Sequence, residues 1–141
     1  MAWREDAHFT DATVTNLDAT NMLDVAFSIG AEATNAITTA ITVTGAASNA
    51  SLGVALALPF YISSDAVGQT LEAGTDLTPT AGTDGTIIVS GGDSKVYGHI
   101  VTETTGEMDF VITDTGTDTY YINLILPNGR IATSGAITLA A

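Results

Sequence analysis

Asp109, Asp114 and Asp118 crowd around the stretch "ITDTGTDTYY", and closely spaced carboxylates are what a hard cation such as calcium binds. The spacing argues against that use. Thr115 and Gly116 stand where alternating oxygen ligands should fall, and no glutamate closes the loop. An acidic turn is the expectation, and "TAGTDGTI" at 80–87 reads the same way, with Asp84-Gly85 as turn chemistry.

Other chemistry is equally thin. His8 and His99 are the only imidazoles, far apart and without neighbouring ligand patterns, and the chain has no cysteine. His99 alternates with Tyr97 and Val101, so a polar outer strand face accounts for it. The serines include no G-x-S-x-G elbow, and Gly91-Gly92 opens no phosphate-binding helix. The reading is of a protein without catalytic residues, cofactor or metal.

Charge narrows the partners. Sixteen acidic residues stand against Arg4, Lys95 and Arg130, a net charge of −13. Clustered cations for phosphate neutralisation are missing, which argues against nucleic acid and against anionic membrane surfaces. No apolar run approaches the roughly 20 residues that span a bilayer. Trp3-Arg4-Glu5-Asp6 puts charge where a secretory signal would develop an apolar core, so synthesis in a cytosol is expected.

The elements that must carry the surface are strands. Apolar residues recur at every second position. Val25, Phe27 and Ile29 do so, as do Ile37, Ile41 and Val43 around Thr39, and the run from Leu52 through Phe60 to Ile62. Met108, Phe110 and Ile112 interleave with Glu107 and Asp109, a half-buried strand with an acidic face. Tyr120 to Leu126 and Ile131 to Leu139 follow. With "GTIIVS" at 85–90 and "KVYGHIVTE" at 95–103, seven strand-like segments lie beyond residue 35. Gly91-Gly92, Gly106, "DTGTD" and Asn128-Gly129 supply turn chemistry where hairpins need it. The pattern predicts an all-β fold, an immunoglobulin-like antiparallel β-sandwich over 35–141. Pro59 suits an edge strand or a bulge, and 64–84 reads as a crossover loop or one helical turn.

Residues 1–34 read differently. Ala12, Leu17, Met22 and Phe27 fall five apart, and "TNLDA" is echoed by "TNMLD". That spacing fits neither a helix face nor a flat strand, and it suits extended chain packed against something else. Trp3 and Phe9 are large aromatics that need a surface to bury them, either the sandwich's own flank or another molecule. The expectation is an extended N-terminal arm with Trp3, Phe9, Val14, Leu17, Met22 and Phe27 as its interface.

From about residue 52 onward the chain resembles immunoglobulin-like domains of structural proteins in tailed bacteriophages. The resemblance rests on "LPFYISSDAVGQTL", "GTDGTIIV" and "TDTYYINLILPNGRIATSGAITLA". It implies a virion structural protein on the outer surface of the head, assembled in the host cytoplasm. The arm would then dock on the major capsid protein or on neighbouring copies, and a homo-oligomer, with a trimer favoured, is implied too. A head or tail fibre or spike module that contacts host glycans is an alternative, as is a tail or connector component. The acidity suits a dense array that must stay solvated, or simply a soluble β-protein.

Overall fold

The computed structural model describes residues 23–46, 49–73, 76–89 and 95–140. Ten strands follow in order: β1 (Leu23–Ile29), β2 (Ala36–Gly45), β3 (Ala57–Ser63), β4 (Thr78–Ala81), β5 (Thr86–Val89), β6 (Tyr97–Val101), β7 (Glu107–Thr113), β8 (Thr119–Ile125), β9 (Ile131–Thr133) and β10 (Ile137–Thr138). One sheet has the order β1-β2-β7-β4, and the six-stranded sheet runs β10-β8-β3-β6-β5 with β9 beside β8. Every pairing is antiparallel.

The two sheets pack face to face because alternate residues are apolar. From the first sheet, Ile41, Val43, Phe110 and Ile112 are at most 1% exposed. Phe60, Ile62, Ile100, Ile122 and Leu124 meet them from the second at 2% or less. The Phe60 and Phe110 rings join the sheets edge to face, with centroids 5.0 Å apart and planes at 82°.

Strand order identifies the sandwich as immunoglobulin-like. β1-β2-β7-β4 reproduces the A-B-E-D sheet of that fold, and β10-β8-β3 reproduces its G-F-C sheet. The β5–β6 hairpin extends the second sheet beyond β3, and it enters after β4 rather than before it. Tyr120, near the start of β8, hydrogen-bonds six residues upstream to Asp114. This is the position of the tyrosine corner in such sandwiches, here with a carboxylate as acceptor.

Several expectations change. The predicted arm boundary at residue 34 is too late, because β1 pairs with β2 along its whole length, from Leu23↔Gly45 to Ile29↔Thr39. Leu23 is 4% exposed, and Val25 and Phe27 pack on the same core. The β1–β2 connection is tied in as well. Asn35 accepts from the Asp114 N–H at 3.0 Å, and Glu32 Oε2 accepts from the Ala140 N–H at 2.9 Å. Phe27, placed in a five-residue spacing with Ala12, Leu17 and Met22, instead belongs with Leu23 and Val25 to the inner face of a strand.

Segment 64–84 contains β4 and no helix. The run from Leu52 enters a strand only at Ala57, and Ile131 to Leu139 divides into β9 and β10, which share β8 end to end. Pro59 sits on β3, inside the sheet. It pairs with His99 of β6, and the β8 ladder begins only at the next residue, Phe60, so its missing N–H interrupts no ladder bond.

Candidate functional site

Alternation gives the six-stranded sheet an outer as well as an inner face. Along β6, Gly98 and Ile100 turn inward while Tyr97, 54% exposed, and His99 turn outward. On β5, Ile87 and Val89 pack on the core and Ile88 is left 59% exposed. The register then aligns the outward residues in cross-strand rows. Ile88, His99 and Pro59 form one, across β5, β6 and β3. Tyr97, Tyr61, Asn123 and Thr133 form the next, across β6, β3, β8 and β9. Ile125 pairs with Ile131 at the end of β8.

These rows enclose a shallow concavity of about 420 Å³, lined chiefly by Pro59, Tyr61, Ile88, Tyr97, His99 and Ile125. Gly98 shapes its floor: a Cβ there would lie 2.0 Å from the Ile88 carbonyl oxygen, so only glycine lets β5 and β6 approach this closely.

The loop from Ser64 to Glu72 folds over the other half of the face. The Tyr61 hydroxyl donates to the Gly68 carbonyl at 2.7 Å. Beneath the loop, Asn123 is fully buried although its side chain points outward. Its Nδ2 donates to Ser63 Oγ at 2.8 Å, and its Oδ1 accepts from Thr133 Oγ1 at 2.8 Å. Gly68 has φ +69°, and a Cβ there would stand 2.5 Å from Asn123 Oδ1, so the loop fits by lacking that atom.

Asp65 organises this loop. Its Oδ1 accepts from the N–H groups of Val67 at 2.9 Å and Gln69 at 3.2 Å, and its Oδ2 accepts from Thr70 at 2.5 Å. Those donors, the Gln69 N–H first, hold its carboxyl below the usual carboxylate range. Burial, and then the Asp65 charge, push Tyr61 above the ordinary phenol value, so its hydroxyl stays protonated as a donor.

The acidic stretch from Asp109 to Asp118 braces the fold through Asp109 and Asp114. Asp114, 2% exposed, receives the Tyr120 hydroxyl and the Gly116 N–H at 2.9 Å. Asp109 instead accepts from the Thr83 N–H at 3.1 Å, across the β4–β7 edge. Among the described residues no group of three His, Asp or Glu side chains could hold a metal ion.

Of the predicted interface residues, Phe27 faces its own core from β1. Trp3, Phe9, Val14, Leu17 and Met22 lie outside the described residues. Sequence reading missed Ile88, Tyr97, Ile125 and Ile131 as a surface. One signal could have found them: the six strands of this sheet contain no Asp, Glu, Lys or Arg, in a chain of net charge −13.

No protein-family model matches the chain, nor does any curated protein sequence. Among solved structures it is similar to the GAE domain of GGA2p from Saccharomyces cerevisiae. The identity is 12% and the TM-score 0.33, over 84% of this chain and 90% of that one. That likeness carries no functional weight.

Proposed function

We propose that this chain is a non-enzymatic structural protein of a virion, a decoration of the head whose N-terminal segment docks on the shell or on neighbouring subunits. The observation that carries the reading is the uncharged, apolar outer face on an otherwise acidic sandwich. Apolar side chains left in water on one face suit contact with protein, because burial there gains free energy that a dispersed distribution would not. The resemblance to phage immunoglobulin-like domains falls on residues with clear duties in this fold. "YISSD" delivers β3 into the Asp65 loop, and "TYYINLILPNGRIATSGAIT" makes the β8, β9 and β10 edge. The described core begins at Leu23, and in this reading residues 1–22, with Trp3 and Phe9, serve as the tether.

An image reconstruction of particles carrying the chain tests this. Many copies on the outer head surface are expected, whereas a few copies at a vertex or the tail would overturn the decoration role. A host-glycan fibre module is the second reading, favoured by the paired Tyr61 and Tyr97 on one exposed face. Saccharide-specific binding on a glycan array, lost in Tyr97→Ala, would transfer the reading to it.

A further inference from the structure

Among the described residues, both cations, Lys95 and Arg130, and every carboxylate lie off the strands of the six-stranded sheet. The other sheet does carry charge, Asp24 on β1 and Glu107 and Asp109 on β7, although β2 and β4 carry none. Apolar exposure follows the same division. Eight large hydrophobic residues are exposed among the described residues. Ile88, Tyr97, Ile125 and Ile131 stand on the outer face of the six-stranded sheet, and Val67 and Leu71 on or beside the loop that covers part of it. The carboxylate that loop brings near Tyr61, Asp65, is turned onto the loop's own N–H groups.

We propose that this outer face is where two copies of the chain meet. Charge selects the occupant. A foreign partner of opposite charge would be matched by a face bearing carboxylates, so attraction to such a partner does not account for a neutral one. A second copy brings the same −13, with sixteen acidic residues against three cations, so carboxylates in the contact would mostly meet their own kind, which costs free energy at close range. The uncharged face is the one where self-contact avoids that repulsion. Its composition is that of an interface centre, aromatic and aliphatic with charge depleted. The concavity over Pro59 and Ile88 gives a protruding side chain such as Tyr97 of the other copy a place to be buried. This deepens the reading above, in which copies of the chain associate, but it concerns a contact made in solution without any shell.

Sedimentation velocity of the full chain over a range of concentrations, with Ile88→Asp and Tyr97→Asp, is the test. Both sites are exposed, so the variants keep the far-UV signature of the fold, and Ile131→Asp replaces either one that does not. The wild type is expected to sediment as an oligomer, and the variants at the 14.4 kDa of one chain. Thr38→Asp, on the outer face of the four-stranded sheet, is expected to leave the oligomer intact. A wild type that stays monomeric at every concentration overturns the proposal. So does an oligomer that survives the face variants, or one that is lost only when residues 1–22 are deleted. A soluble oligomer that never appears on particles would sink the virion reading and leave this contact standing. A monomeric chain seated on heads would do the reverse.

Discussion

The Tyr120 hydroxyl donates to Asp114 Oδ2 across the corner where the chain passes from β7 in one sheet to β8 in the other. The same aspartate accepts the Gly116 N–H, and its own N–H reaches the Asn35 carbonyl in the β1–β2 connection. One buried aspartate thus holds three segments, two through its carboxylate and one through its backbone N–H. The Tyr120 bond, with help from the Gly116 and Thr115 N–H groups, keeps Asp114 below the usual carboxylate range although burial opposes it.

Acid stability follows from the sign of that shift. A carboxyl whose native pKa is lowered contributes stability in full above its unfolded value, about 4, and loses it as pH falls through the native value. Denaturant midpoints of the wild type should therefore decline below about pH 4, and Asp114→Asn should be less stable at neutral pH with a shallower acid limb. Tyr120→Phe leaves the carboxylate short of a donor and should cost about 1–3 kcal/mol. Equal acid limbs in wild type and Asp114→Asn would show that other carboxylates control the transition.

The Asp65 loop should respond locally. Asp65→Ala removes the acceptor for the Val67, Gln69 and Thr70 N–H groups. Hydrogen exchange at those amides should speed up, and exchange at Ile122 and Leu124 in the core of β8 should not. Because the Asp65 carboxyl is also lowered, the wild-type loop should keep its protection at neutral pH and lose it as pH drops below the ordinary carboxylate value. Uniform acceleration across the domain would mean the loop does not open independently.

Much of the fold was readable because burial leaves a period of two. Ile37 to Val43 and Met108 to Ile112 alternate cleanly, and each became an inner face. The turns were readable as turns and not as connections. Asn128-Gly129 does close the β8–β9 hairpin, but Asp84-Gly85, Gly106 and the 114–118 turn carry the chain from one sheet to the other. A positive φ, as at Gly85 and Gly106, is what any sharp reversal needs, so local chemistry cannot report which strand comes next. The outer face was hidden for a related reason. "YGHIV" and "TIIV" carry apolar residues on both alternations, and only the opposite sheet decides which set is covered.

Thr39 offers a gain in stability. It lies on the inner face of β2 opposite Phe110, is fully buried, and its Oγ1 has no hydrogen-bond partner in the structure. A buried hydroxyl without a partner costs about 1–3 kcal/mol relative to a satisfied one. Valine has nearly the same shape without the polar atom. Thr39→Val should raise unfolding stability by about 1 kcal/mol in chemical denaturation, with the m-value unchanged. A loss of stability would show that the hydroxyl is solvated or bonded in solution.

Truncation tests where the domain begins. Removing residues 1–22 takes away none of the described packing, and the remaining chain should unfold cooperatively near the full-length midpoint. Removing residues 1–34 deletes β1 and exposes the β2 edge, which otherwise pairs from Thr39 to Gly45. It also strips Leu23, Val25 and Phe27 from the core. Full burial of one such side chain stabilises by about 1.5–3 kcal/mol, and the last two are only partly buried, so the loss should be about 3–5 kcal/mol. Against a typical total of about 5–15 kcal/mol, that lowers the melting midpoint by more than about 10 °C and leaves an unpaired strand prone to aggregate. Equal midpoints for the two truncations would return β1 to the tether and restore the boundary near residue 34.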